Sequence, residues 1–322
     1  MPSLPEYVDI LAARDDLIWP SPMPAKPVKA KSYSAHLPGL RAVTWDVYGT
    51  LLHVTDGRME FDPKPEIRLQ VALEKTIHEF NMWNSMTRKP GAPWEYMLQQ
   101  YRDVLADEML RGGGNVPRGE VPHVSLANVW KVLIERLQQK EYTFDVVRYG
   151  SLEDFSECVA YFFHSALQGT AAYDKALKVL RYVAKAGLIQ GIIADAQPFT
   201  PLQLIAALQE QGKLPPLNQL FQRELMLFSY TEGVRKPSKS IFEECAARLA
   251  RNGISPEEVL HVGTKLGDDL LVAKQVGFNT ALFAGDSASL EASKELLSDP
   301  ASRPDRLITS LAQIARVVAG EG

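Results

Sequence analysis

Apolar positions follow two different rhythms along this chain. Residues 40–52, LRAVTWDVYGTLL, open with an apolar run too short for a helix; it predicts a strand over Ala42–Trp45 and a turn at Gly49. From about 64 to 168 the apolar positions recur at helical spacing in IRLQVALEKTIHEFNMW, WEYMLQQYRDVLADEML, VSLANVWKVLIERLQQKEY and LEDFSECVAYFFHSAL. Loops such as RGGGNVPRGEVP separate them, so the whole stretch is expected to be helix or loop; the three glycines of residues 111–115 mark a flexible connector, with a hinge or substrate loop as the alternative. From about residue 170 the texture changes to strict alternation. Helices are predicted at Asp174 to Ala186, Pro201 to Glu210, Ser238 to Arg251, Asp268 to Gln275, and a closing one near Arg306 to Val318. Between them lie strands LIQGIIAD, LMLFSY, EVLHVG and NTALFA.

Strand and helix in alternation imply an α/β fold, a doubly wound parallel sheet covered on both faces. The helical stretch then reads as an insertion after the first strand. The expected division is a proline-rich arm over 1–38, an α/β core over 39–56 and 170–322, and a helical cap over 57–169. Seven prolines before residue 39 exclude a long helix or central strand from the arm, apart from one short helix near Val8 to Ala13.

A formal charge of −4 without a concentrated basic face gives no pull toward nucleic acid or anionic membrane. The chain has two cysteines, Cys158 and Cys245, at positions that read as buried in helices, which supports neither a disulfide framework nor a zinc site. With no secretory segment and no apolar run of membrane-spanning length, the expectation is a soluble cytoplasmic protein acting on a small molecule. Nothing in the sequence fixes its oligomeric state.

In doubly wound sheets, ligands bind beyond the carboxyl ends of the strands, where this sequence concentrates its charges. Asp46 follows the first strand, Asp195 ends the second, Lys236 lies after the third, and Asp268 and Asp269 follow the fourth. A carboxylate at such a tip can act as a nucleophile, splitting one displacement into two. Asp46 could instead cap its Gly-Thr turn, and Asp269 the helix that follows it.

These segments resemble the haloacid dehalogenase superfamily: WDVYGTLL for its first motif, GVRKPSKSIFEECAARL for its third, and VLHVGTKLGDDLLVAKQVGFNTALF for its fourth. The resemblance covers residues 40–56 and 170 to about 285, with the helical insertion where that family carries its cap. It implies a hydrolase of phosphatase type, acting on a small phosphorylated metabolite through an aspartyl-enzyme intermediate. The alternatives are a metal-independent dehalogenase-like hydrolase, or a catalytically degenerate binding or regulatory protein.

By the same resemblance Asp46 is the nucleophile, Lys236 neutralises charge beside it, and Tyr48 and Thr50 complete the catalytic turn. Ala194, Asp195, Thr264 and Lys265 line the substrate. Magnesium is implied for phosphoryl transfer, held by Asp46, the Tyr48 carbonyl and Asp269, with Asp268 in reserve. The chain also departs from the family pattern. Tyr48 stands where the phosphatases carry an acid, Ala194 and Asp195 where a hydroxyl residue and often asparagine are usual, Thr264 in place of an acidic residue, and Phe242 where the dehalogenases tend to have tyrosine.

Overall fold

The computed structural model describes residues 3–86, 91–111 and 116–319. In chain order the strands are β1 (Ala42–Trp45), β2 (Leu52–Val54), β3 (Val121–Pro122), β4 (Thr170–Ala172), β5 (Ile189–Ala194), β6 (Met226–Phe228), β7 (Val234–Arg235), β8 (Val259–Gly263), β9 (Asn279–Phe283) and β10 (Arg306–Ile308). The helices are α1 (Leu4–Ala12), α2 (Ile67–Glu79), α3 (Pro93–Arg111), α4 (Leu126–Gln138), α5 (Val146–Tyr149), α6 (Leu152–Leu167), α7 (Ala176–Lys185), α8 (Thr200–Glu210), α9 (Ser229–Glu232), α10 (Ser240–Ala250), α11 (Leu271–Gln275), α12 (Lys294–Ser298) and α13 (Ile314–Ala319).

Among the described residues, six strands form one parallel sheet in the order β10-β9-β8-β1-β5-β6. The chain starts at the centre, winds out through β5 and β6, and returns to fill the other side from β8. This is the expected doubly wound sheet, with its switch point at β1. All four residues of β1 are buried, as a central parallel strand covered on both faces requires; its one polar side chain, Thr44, is hydrogen-bonded to His261.

The helices between β2 and β4 pack on one another around a core of their own. The aromatic ring of Phe163 on α6 lies 5.1 Å from Trp130 of α4 and 5.1 Å from Tyr101 of α3, while Phe155 lies 5.4 Å from Phe80 at the end of α2. α6 occupies the predicted span residue for residue. Its start is fixed locally, because Ser151 accepts the Asp154 N–H while Asp154 accepts the Ser151 N–H, satisfying donors that a helix start leaves free. Helix α1 adds Tyr7 and Leu11 to the same core. The segment after it runs back along the sheet, where Tyr33 pairs with Leu307 and the Leu37 N–H reaches the Val317 carbonyl. That pairing covers the exposed edge of β10.

Three expectations need correction. The closing helix begins later, because Arg306–Ile308 is the sixth strand and the helix covers only Ile314–Ala319. The Arg306 guanidinium is held by the carbonyls of Ala35 and His36, partners about 270 positions away that no local pattern announces. The insertion is not wholly helix and loop, since β3 forms an antiparallel pair with β7. Finally, the helix expected from Asp268 starts as a π-helical turn over Leu266–Leu270 before α11. The suggested hinge at 111–115 falls largely outside the described residues.

Candidate active site

The turn after β1 is built by one carbonyl. Val47 O accepts the N–H groups of Thr50, Leu51 and Leu52, and the Gly49 N–H reaches Leu52 O at 2.7 Å. Gly49 has φ +85°, and a Cβ there would stand 2.8 Å from the Gly57 carbonyl oxygen, so the position requires glycine on both counts. Asp46 precedes this turn, 4% exposed, at the floor of a cavity of about 300 Å³. Its Oδ1 accepts the Val47 N–H at 2.9 Å and lies 2.9 Å from Lys236 Nζ. Its second oxygen is left to the cavity.

The Lys236 ammonium is buried between Asp46 and Asp269, with Asp269 Oδ1 at 2.8 Å and the Ile193 carbonyl at 3.4 Å. Asp269 Oδ1 also meets His261 Nε2 at 2.9 Å, and His261 Nδ1 meets Thr44 Oγ1 at 2.8 Å. A hydrogen-bonded chain therefore runs from Thr44 through His261, Asp269 and Lys236 to Asp46. His261 is buried and hydrogen-bonded, as its place inside a strand predicts.

The electrostatics follow from this shared lysine. Burial pushes the Asp46 carboxyl above its ordinary value; Lys236 offsets part of the rise and Asp269 adds to it. For Asp269 burial acts in the same direction, but Lys236 and His261 together outweigh it and hold the group down at about 2. Burial alone would lower the Lys236 pKa, yet Asp269 and Asp46 overcome it and raise the group above its usual value. Asp269, with two partners, carries the negative charge most firmly.

The structure brings Asp46, Tyr48, Asp195, Lys265 and Asp268 to the cavity wall and leaves other expected residues off it. Ala194 is fully buried as the last residue of β5. Thr264 is also fully buried, tucked beneath the turn, with Oγ1 3.0 Å from where a Cβ on Gly49 would lie. Thr50 is buried, and neither its hydroxyl nor that of Thr264 has a partner among the described residues. Tyr48 directs its phenol away from Asp46, donating to Gln203 Oε1 at 2.6 Å and lying 2.9 Å from Thr200 Oγ1. Burial raises the pKa of that phenol further.

The expected magnesium set does not fit this geometry. Asp269 is sealed from the cavity: Lys236 and His261 occupy Oδ1, while Oδ2 is partnerless and packed against Gly263. Among the described residues, no group of three or more His, Cys, Asp and Glu side chains is placed to hold a metal ion. Magnesium binds through hard oxygen ligands, and the group at position 264 is a hydroxyl rather than a carboxylate.

The sequence reading missed Arg58, His123 and Arg235, which also line the cavity. Arg235 adjoins Lys236 and could have been suspected; Arg58 and His123 reach the site only through folding of the insertion. His123 Nδ1 lies 3.0 Å from Ser229 Oγ, and burial lowers its pKa to about 4.

A second buried histidine gives a stability prediction. His164 on α6 lies 3.3 Å from Gln203 Nε2 and 5.1 Å from the Phe199 ring, joining α6 to α8 and its N-cap. Burial lowers its pKa from 6.5 to about 4, so the unfolded chain binds this proton more readily than the folded one. Its contribution is present above pH 6.5 and lost as pH falls toward about 4, amounting to about 3 kcal/mol. Urea unfolding at neutral and acidic pH is expected to show a shallower loss for His164→Phe than for the native chain.

Fold and site together define an α/β protein with its charged groups gathered at the carboxyl ends of a parallel sheet. The chain belongs to the haloacid dehalogenase-like hydrolase family, whose profile matches residues 40–277. It is 31% identical over 147 residues to a glyceraldehyde 3-phosphate phosphatase of Pyrococcus furiosus, a match covering 45% of this chain and 54% of that protein. The chain thus spans about half the length of that curated relative. Its fold is similar to that of a 2-haloacid dehalogenase from Pseudomonas syringae pv. Tomato DC3000, with a TM-score of 0.50 and 17% identity over 85% of this chain and 96% of the other. Among the described residues, no helix is long and apolar enough to cross a membrane.

Proposed function

We propose that the chain hydrolyses a small phosphorylated metabolite by attack of Asp46 on phosphorus, forming and then hydrolysing an aspartyl phosphate. The observation that carries this reading is the state of Asp46: one oxygen fixed by Lys236 and the Val47 N–H, the other open to the cavity. A carboxylate so held is aimed, and the ammonium beside it offsets the charge of an approaching anion. Of the cations on the cavity wall, Arg58 and Lys265 are shared with Glu60 and Glu291, while Arg235 has no carboxylate partner among the described residues and suits a phosphate group. The phosphatase relative supports the same chemistry. Asp269 does not reach the cavity and takes no part in the attack.

In this reading residues 57–169 act as the cap over a core of 39–56 and 170–322, with 1–38 as an arm. Met59, Phe61, Met109 and His123 of the cap face the cavity and would choose the substrate. Both cysteines are free and buried, in keeping with a cytoplasmic setting.

Tyr48 favours a second reading. A positioned acid accelerates departure of an alkoxide by about 10²–10⁴, and this phenol is tied to Thr200 and Gln203 instead. Halide needs no proton to leave, so displacement at carbon in a 2-haloacid fits the same pocket. The deciding measurement is parallel release of phosphate from acyl, aryl and sugar phosphates and of chloride from 2-chloropropionate, each with magnesium or with EDTA. Phosphate release is the expected result. Chloride release alone would replace the first reading with the second, and binding without turnover of either class would leave a degenerate binding protein.

A further inference from the structure

We propose that Asp195 is the base that delivers water to the Asp46 ester, an inference that rests on the hydrolase reading above. β1 and β5 are neighbours in register, with Trp45 beside Ile192, so Asp46 and Asp195 leave adjacent strand ends toward the same cavity. Asp195 Oδ1 accepts the Lys236 backbone N–H at 2.9 Å, which fixes the carboxylate. No second hydrogen bond to this side chain is found among the described residues, and Asp195 is half-buried in the wall of the cavity that Asp46 also lines.

The other groups near Asp46 are spoken for. The Tyr48 phenol is engaged with Gln203 and Thr200. Both oxygens of Asp269 are shut away from the cavity, and His123 Nε2 is sealed from solvent. Asp268 and Glu291 are exposed, where bulk water solvates them, and Glu60 is paired with Arg58. Asp195 combines a backbone-fixed orientation with a place in the wall of the cavity that holds the nucleophile.

The step balances without any further reactant. In the second half-reaction a water oxygen attacks phosphorus, and the P–O bond to Asp46 breaks, its electron pair returning to the Asp46 carboxylate. The water proton passes to Asp195, inorganic phosphate leaves, and Asp195 returns its proton to solvent before the next cycle.

The rival account is that Asp195 only anchors the loop that carries Lys236. Asp195→Asn separates the two, because the amide oxygen still accepts the Lys236 N–H but cannot take a proton. With 4-nitrophenyl phosphate and acetyl phosphate as probes, the full chain carrying Asp195→Asn is expected to release a stoichiometric burst of leaving group. It should then slow by about 10²–10⁴-fold while a phosphoryl adduct on Asp46 accumulates in the intact mass. In case that variant folds poorly, Asp195→Ala is expected to regain turnover with added formate, which a loop anchor would not do. Unchanged turnover in Asp195→Asn, or slowed turnover with no adduct and no formate rescue, overturns the proposal. A native chain that yields neither turnover nor adduct overturns the hydrolase reading itself, and this inference with it.

Discussion

Asp46→Asn is expected to lower turnover by at least about 10⁴-fold, the scale of loss when a nucleophile is removed, while the chain stays folded. The amide keeps the shape of the carboxyl, and its oxygen can still accept the Val47 N–H and face Lys236. Lys236 is not stranded by the change, because Asp269 remains 2.8 Å away. Nor does folding lose much, since burial already disfavours the ionised form of Asp46. Steady-state rates alone would not separate a lost nucleophile from a disturbed pocket. The sharper measurement is the covalent adduct: the native chain and Asp195→Asn should form it and Asp46→Asn should not. A variant that keeps its turnover would return Asp46 to the bland role of capping the Gly-Thr turn.

The parts of the fold that were legible in the sequence are those decided locally. β1 could be read because four consecutive buried positions leave a run that only a central strand uses. α6 could be read because Ser151 and Asp154 cap it from within a single turn. β10 could not: its Arg306 looks like a polar helix position until Ala35 and His36 arrive to satisfy the guanidinium. The two-residue ladder of β3 and β7 is likewise a contact between distant segments, with too few residues to set a period. The site divides in the same way. Motif spacing put acids and a lysine at neighbouring strand tips, and the fold joins Asp46, Lys236 and Asp269 in one hydrogen-bonded chain. Spacing could not tell which carboxylates face the cavity. That depends on the π-helical turn at Leu266–Leu270, which directs exposed Asp268 to the cavity wall and turns Asp269 inward to His261.

Lys236→Met is expected to have the largest combined effect on stability and activity, and the two should be separable. The methionine is similar in length and fills the buried space, but it leaves Asp46 and Asp269 facing each other without the ammonium between them. Breaking a buried ion pair by removing one partner costs about 3–5 kcal/mol, because the remaining charge is uncompensated. The denaturation midpoint should fall accordingly. The chain can relieve the strain by binding a proton, and Asp46 is the group to take it, since Asp269 keeps His261 as a partner. In the native chain the Asp46 carboxyl already titrates above the ordinary carboxylate value of 3.8, and attack needs its ionised form, so activity falls as pH drops through that raised value. Without Lys236 the acid limb of the profile should move to still higher pH. The test is kcat/KM measured across pH for both proteins, beside their unfolding curves. An acid limb that stays in place while stability falls would mean that Lys236 holds the fold together without setting the charge on Asp46.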